Sequence, residues 1–281
     1  MPYFGVTIFP TDEAIQPAEL ARAVEERGLD SLFVTEHTHI PASRRTPWPG
    51  GADLPREYWR THDPFVALAA AAAVTSRIRL GTGVCLVVER DPIQLAKEVA
   101  SLDVVSGGRF VFGVGAGWNR EEMENHGVDY PTRWKLVREK VLAMRAIWTQ
   151  DAPEFHGELV DFDPIWSWPK PVQPGGPKVL IGAQSKWAYA RVADYGDGWM
   201  PIALLGGIEQ GTAALRRACD LAGRDFDSLH NSVYGHPADE EKCRNTLALG
   251  FEELTFPLPS AGRDEVLPLL DRYAELARKL R

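Results

Sequence analysis

The sequence predicts an α/β fold of the (β/α)8 TIM-barrel class, and three observations carry the prediction. Runs rich in β-branched and aromatic residues alternate with helix-like runs along the 281 residues. They recur about eight times, roughly one unit per 35 residues, the density of a barrel of about 250 residues. The stretch Arg79 to Trp118 reads as strand, capped helix and strand, with both strands running out into glycine. A hydrophobic content of 44% suffices for one sizeable core, so residues 1–281 are expected to form a single domain.

Strands are expected near Phe4–Phe9, Ser31–Thr35, Ile78–Cys85, Phe110–Val114, Lys178–Ile181, Gly198–Ile202, Leu229–Tyr234 and Glu253–Pro257. Between the third and fourth, Asp91 is placed to cap a helix, Pro92 supplies the preset φ of its first position, and Gln94 stands where a capping box needs it. That helix stops at Ser106-Gly107-Gly108, where glycine can take the left-handed position. Parallel strands joined by a helix imply a right-handed crossover, so the two glycine-ended tips point the same way. A further helix is predicted over Arg133–Trp148, where Trp134, Val137, Val141, Met144 and Trp148 recur at helical spacing.

Two segments break the rhythm. Residues 41–62, after the second strand, carry Arg44, Arg45, Trp48, Pro49-Gly50-Gly51 and Trp59, followed by Asp63 as a cap and Pro64. A connection that long in a compact domain reads as a lid or binding loop with cationic and aromatic contacts. Residues 150–177 hold six prolines and two tryptophans and read as a hairpin-like insertion before the fifth strand, structural or dimer-forming in role.

The formal charge is −8, from 31 basic and 39 acidic residues, and no run of Lys or Arg argues for nucleic acid or an anionic membrane as partner. The longest apolar run, Phe65 to Val74, is too short to span a bilayer, and Met1-Pro2-Tyr3 leads into a strand without a signal-peptide pattern. A soluble, cytoplasmic protein is expected. Cys85, Cys219 and Cys243 lie too far apart in sequence to suggest a disulfide framework or zinc knuckle.

In a parallel barrel the site lies at the C-terminal ends of the strands. The second strand ends in Glu36-His37, a carboxylate beside an imidazole suited to handling a proton. The third ends Gly83-Val84-Cys85, the fourth Gly115-Ala116-Gly117-Trp118-Asn119 and the fifth Gly182-Ala183-Gln184-Ser185. Small residues there let backbone N–H groups approach a planar ring, or else serve tight strand packing. Gly182 to Ser185 precede a helix expected near Lys186, an arrangement suited to phosphate, with Ser185 alternatively only a cap. Trp118 can stack on a ring, wall a pocket, or simply be core. Gly113 to Gly117 do not fit a dinucleotide fingerprint.

These blocks together resemble the bacterial luciferase-like monooxygenase superfamily, in particular its branch of deazaflavin (coenzyme F420) dependent oxidoreductases. The resemblance rests on Val34-Thr-Glu-His37, Asp63-Pro-Phe-Val-Ala-Leu68, Ile78-Arg-Leu-Gly-Thr-Gly-Val84 with Arg90-Asp-Pro92, and Ser106-Gly-Gly-Arg109. It continues in Gly113-Val-Gly-Ala-Gly-Trp118 with Glu121-Glu122 and Gly127, and in Ile181-Gly-Ala-Gln-Ser185 with Gly196-Asp-Gly-Trp199. It implies a flavin or deazaflavin at the barrel mouth, F420 before FMN, with hydride transfer to or from a small organic substrate and a homodimeric assembly. It further implies a non-proline cis peptide at Gly83-Val84, proton transfer by His37 with Glu36 beside it, and a cofactor-phosphate loop at Gly182, Ala183, Gln184 and Ser185. Trp118 stands where the family's sugar-phosphate dehydrogenases place a carboxylate, so that substrate is not implied.

Two other classes compete. His37-Thr38-His39 resembles the metal pair of barrel hydrolases, but later strand tips offer only His236 as a further ligand. A non-catalytic cofactor carrier would keep the same tips without using His37.

Overall fold

The computed structural model describes residues 1–51 and 53–281. Its strands are β1 (Tyr3–Ile8), β2 (Ser31–Val34), β3 (Arg79–Leu86), β4 (Phe110–Gly115), β5 (Phe155–His156), β6 (Asp161–Phe162), β7 (Lys178–Ile181), β8 (Gly198–Trp199), β9 (Ser232–Val233) and β10 (Glu253–Pro257). All but β5 and β6 lie in one parallel sheet of order β8-β7-β4-β3-β2-β1-β10-β9. The helices are α1 (Pro17–Glu26), α2 (Pro64–Ala72), α3 (Pro92–Ser106), α4 (Arg120–Asn125), α5 (Arg133–Thr149), α6 (Ala188–Tyr195), α7 (Ile208–Ala222), α8 (Glu240–Ala248) and α9 (Arg263–Leu280). Eight parallel strands in a nearly closed ring with helices between them make this a (β/α)8 barrel.

Closure falls between β8 and β9, both shorter than predicted. Pro201 has no N–H to donate, and β8 stops at Trp199, two residues before it. Separate bonds draw this edge together: His230 N donates to Asp197 O at 2.8 Å and Tyr234 N to Pro201 O at 2.9 Å, beside an Ile202–Tyr234 bridge.

Side chains alternate between two cores, as strand geometry requires. Leu32, Leu80, Phe110, Phe112, Val179 and Ile181 face the helices, whereas Phe33, Val111, Leu180 and Met200 fill the barrel interior. Val84 and Tyr234, half-buried, pack on that interior cluster.

The helix between β3 and β4 begins and ends as predicted. Asp91 accepts from Ile93 N and Gln94 N, both at 2.9 Å, and Gly107 takes the left-handed conformation with φ 67°. The capping box is not completed: Gln94 donates forward to Glu98, a carboxylate one turn on, at 3.0 Å. In α5, Val137, Val141, Met144 and Trp148 are buried. Trp134 is only half-buried, because its ring lies under the Arg191 guanidinium at 4.1 Å. The insertion at 150–177 contains the antiparallel β5–β6 hairpin.

Candidate active site

Asn119, four residues beyond the end of β4, caps α4, its Oδ1 accepting from Glu122 N at 3.2 Å. That cap fixes the first turn so that Glu122, at its third position, reaches the end of β2. There Glu122 Oε2 lies 2.8 Å from His37 Nδ1, and Oε1 accepts from Thr38 N at 3.1 Å. The side chains of His37 and Glu122 are only 4% and 1% exposed. A carboxylate that already accepts a backbone N–H accepts from the ring as well, which assigns the imidazole proton to Nδ1. Among the described residues, Nε2 has no protein hydrogen-bond partner.

Aromatic rings surround this imidazole. Tyr58 lies 5.2 Å and Trp118 5.9 Å from it between ring centroids, and these two meet edge-on at 6.2 Å. Trp48 extends the group by an edge contact with Tyr58 at 5.8 Å. Trp48, Tyr58 and Thr61 therefore lie over the end of β2, and Thr61 Oγ1 donates to His37 O at 2.9 Å.

Glu36, expected beside His37, is bonded to other partners. Its carboxylate accepts from Leu86 N at 2.6 Å and from Arg90 Nε at 2.7 Å and Nη2 at 2.5 Å, and the residue is 2% exposed. Neighbours on a strand face opposite ways, so a residue beside His37 points behind the barrel tip. Arg90 also binds Asp63, the cap of α2, and Glu98 on α3, making Glu36 the buried end of a clamp between loops. Cys85 follows the same alternation: it is fully buried beside Glu36, where burial first and the Glu36 carboxylate next push its thiol well up. It lies outside the mouth.

Two of the glycine tips are closely packed, the tight strand packing that was the alternative to a ring approaching bare backbone. A Cβ on Gly115 would fall 2.6 Å from Val84 Cγ2, and one on Gly182 would fall 2.4 Å from Val84 Cγ1. The two glycines make room for the Val84 side chain, seated between β4 and β7. The Gly83–Val84 peptide is cis, and β3 holds one residue more than β4 there, since Thr82 pairs with Phe112 and Cys85 with Val114.

Ala116 is buried and Gly117 turns the chain with φ 75°, while Asn119 is occupied as the cap of α4. Of the fourth tip, Trp118 is the side chain placed next to His37. Beyond β7, Ala183 O accepts from the Trp199 indole at 2.7 Å, and the Gln184 amide bridges Ile202 N and Gly206 O. Helix α6 starts at Ala188, later than predicted, and Ser185 is exposed without capping it. Gln184, Ser185 and Lys186 line a cavity of about 650 Å³ shared with Gly206, Gly207 and Gln210 at the start of α7.

His37 and His39 are engaged by separate partners, the second by Thr38 Oγ1 and Asn125 Nδ2. His236 bonds Pro237 and Thr246, and burial lowers its pKa. Among the described residues, no group of three His, Cys, Asp or Glu side chains is arranged to hold a metal ion.

Sequence reading did not single out Tyr58, Glu89 or the role of Glu122. A signal for Glu122 exists, since Asn119 with Glu122 three residues on is a helix-start pattern. In the structure the carboxylate turns to His37 instead of back to the cap.

The fold and this mouth define a luciferase-like barrel, and residues 11–245 match the family model described as luciferase-like monooxygenase. An uncharacterized protein of Mycobacterium tuberculosis (strain ATCC 25618 / H37Rv) is 41% identical over 275 residues, 97% of each chain. An F420-dependent glucose-6-phosphate dehydrogenase of Gordonia bronchialis is 29% identical over 226 residues, 76% of this chain and 62% of that one. Among solved structures, an F420-dependent secondary alcohol dehydrogenase in complex with an F420-acetone adduct superposes with a TM-score of 0.79 at 17% identity, covering 100% and 99% of the chains. The monooxygenase RslO1 from Streptomyces bottropensis gives 0.76 at 22% identity, covering 99% of each. The chain belongs to the luciferase-like monooxygenase family, and its chemistry is that of an oxidoreductase.

Proposed function

We propose that this protein is an F420-dependent oxidoreductase in which His37 transfers the proton that accompanies hydride transfer to or from a small organic substrate. The observation that carries the reading is the buried His37–Glu122 pair at the C-terminal mouth of the barrel. Glu122 holds the ring with Nδ1–H directed inward, so unpartnered Nε2 is the nitrogen left to accept a substrate proton. When the ring is protonated, the same nitrogen donates in the reverse direction, and the Glu122 carboxylate stabilises the cation.

A deazaflavin ring suits the residues present. Val84, half-exposed over the interior cluster, offers an apolar wall, and Gly115 and Gly182 let it sit level with its neighbours. The cavity at Gln184, Ser185 and Lys186 has the polar lining and the cation that a phosphate needs. When bound, the deazaflavin gives or takes hydride at ring carbon five. Tyr58, Trp118 and Trp48 exclude water from the proton-transfer face, with the 41–62 segment acting as a lid on one barrel domain.

Support for the cofactor comes from the F420-dependent relatives and the shared fold. Titration of the purified protein with F420 and with FMN tests it: saturable F420 binding is expected, and tight binding of FMN alone overturns the reading in favour of an FMN-dependent monooxygenase.

A further inference from the structure

Glu89 stands in the turn between β3 and α3, and its side chain is wholly buried. Neither carboxyl oxygen has a hydrogen-bond partner. Leaving a buried polar group unpaired is costly, so such a group calls for an explanation. Its surroundings supply one. Thr38 ties it to the pair: Thr38 N donates to Glu122 Oε1 at 3.1 Å, and Thr38 lines the same cavity as Glu89, in the field of the Glu122 and Glu36 carboxylates and of Arg90 and Lys140. On its outer side, His126 Nε2 at the end of α4 lies 3.8 Å from Glu89 Oε2. The His126 side chain is 29% exposed and also meets Thr38 Oγ1 at 2.9 Å. Glu89 further lines a polar cavity of about 280 Å³ together with Thr38, Asp63, Gln94 and Glu98, large enough for several waters.

We propose that Glu89 is a proton-relay residue linking the His37–Glu122 pair to solvent through His126 and the adjoining cavity, away from the mouth. The inference rests on the assignment of His37 as the proton-transferring group. A proton gained at His37 Nε2 leaves an imidazolium held by the Glu122 carboxylate, and that cation then gives up its Nδ1 proton to Glu122. Glu122 passes it to Glu89, and Glu89 releases a proton to His126 or to cavity water. Nothing is oxidised or reduced along this chain. Burial, with Glu122 and Glu36 adding to it, raises the Glu89 carboxyl well above the usual carboxylate range against the pull of Arg90, so that it holds a proton to pass on near neutral pH. Glu89 acts through Glu122 and touches no substrate, which makes it a positioning residue. Such an exit matters because a ligand seated in the mouth would cover Nε2 but leave this side of the pair open.

The test measures exchange of the His37 Nδ1 proton with water, by NMR on protein carrying 15N-labelled histidine. It is done on the free chain and again with F420 added. Glu89→Gln keeps the shape and removes the exchangeable acid. It is expected to slow exchange by about tenfold or more with the remaining spectrum unchanged, and Glu89→Asp is expected to restore part of the rate. His126→Phe, on the surface end, is expected to slow exchange less, because the cavity remains. Unchanged exchange in Glu89→Gln overturns the relay, and so does equal slowing in Glu89→Gln and Glu89→Asp, which marks a merely structural carboxyl. Failure of F420 to bind overturns the proposed cofactor and leaves the free-chain measurement standing.

Discussion

Glu122 Oε2 lies 2.8 Å from His37 Nδ1, and the two side chains come from opposite ends of a tertiary contact spanning 85 residues. Neither is placed by its own segment alone. Asn119 aims Glu122 by capping α4, and the end of β2 aims His37, so the pair exists only when β2, β3 and β4 are in register.

Glu122→Gln should cut turnover far more than binding. Without the carboxylate, the ring loses its fixed tautomer and the support for its cation. A fall in kcat of about 10²-fold to 10³-fold is expected, with cofactor affinity within about twofold of wild type. His37→Ala should do the same. Steady-state kinetics beside cofactor titration check this, and a loss of affinity equal to the loss of rate would point to a cofactor-binding role for the pair.

Gly182→Ala should destabilise the chain by about 1–3 kcal/mol, since the added methyl meets Val84 Cγ1. The double variant Gly182→Ala with Val84→Ala should recover part of that loss, because the collision partner is gone. Urea unfolding of the four proteins gives the coupling directly. Additive losses would show that Val84 and Gly182 do not share the space.

Arg90→Met should be the costliest of the single changes. Glu36 is almost wholly buried and would be left with only Leu86 N as hydrogen-bond partner. Stranding a buried carboxylate costs about 3–5 kcal/mol, and Glu36→Gln added to Arg90→Met should return much of it. A melting temperature equal to wild type would refute the clamp.

At the opposite end of the barrel, Glu253 is fully buried with Arg79 2.9 Å away, out of line for a hydrogen bond, and His230 3.3 Å away. Burial alone would raise Glu253, but Arg79, then His230 and Ser31, hold it down to about 2. Its contribution is present above the unfolded value near 4.5 and is lost as pH falls toward about 2. His230 runs the other way. Burial lowers it, bonds to Glu252 and Glu253 outweigh burial, and the net rise makes its contribution complete below 6.5 and lost as pH climbs through the folded value. These two groups together therefore stabilise the fold most between about pH 4.5 and 6.5. Glu253→Gln should remove its part of the acid limb, worth about 3 kcal/mol, and His230→Gln its part of the alkaline one. Denaturant midpoints across pH decide it, and an unaltered profile in either variant would remove that residue from the account.

By itself the sequence determined the periodic skeleton: eight strands, the Asp91-Pro92 helix start, the Gly107 stop and the position of His37 at a strand end. These depend on local propensity, caps and alternation, which neighbouring residues specify. It also marked Gly115 and Gly182 as unusual, without showing that they make room for Val84. Only the tertiary structure decided which way Glu36 and Cys85 face, that Glu122 completes His37, and that Tyr58 packs against the His37 ring. Which side chains meet across 21 residues from His37 to Tyr58, or 85 to Glu122, depends on strand register and loop path. No local pattern encodes those. Glu89 is the clearest case: beside Arg90 in sequence it reads as one more charge on a polar turn, and only packing removes it from water.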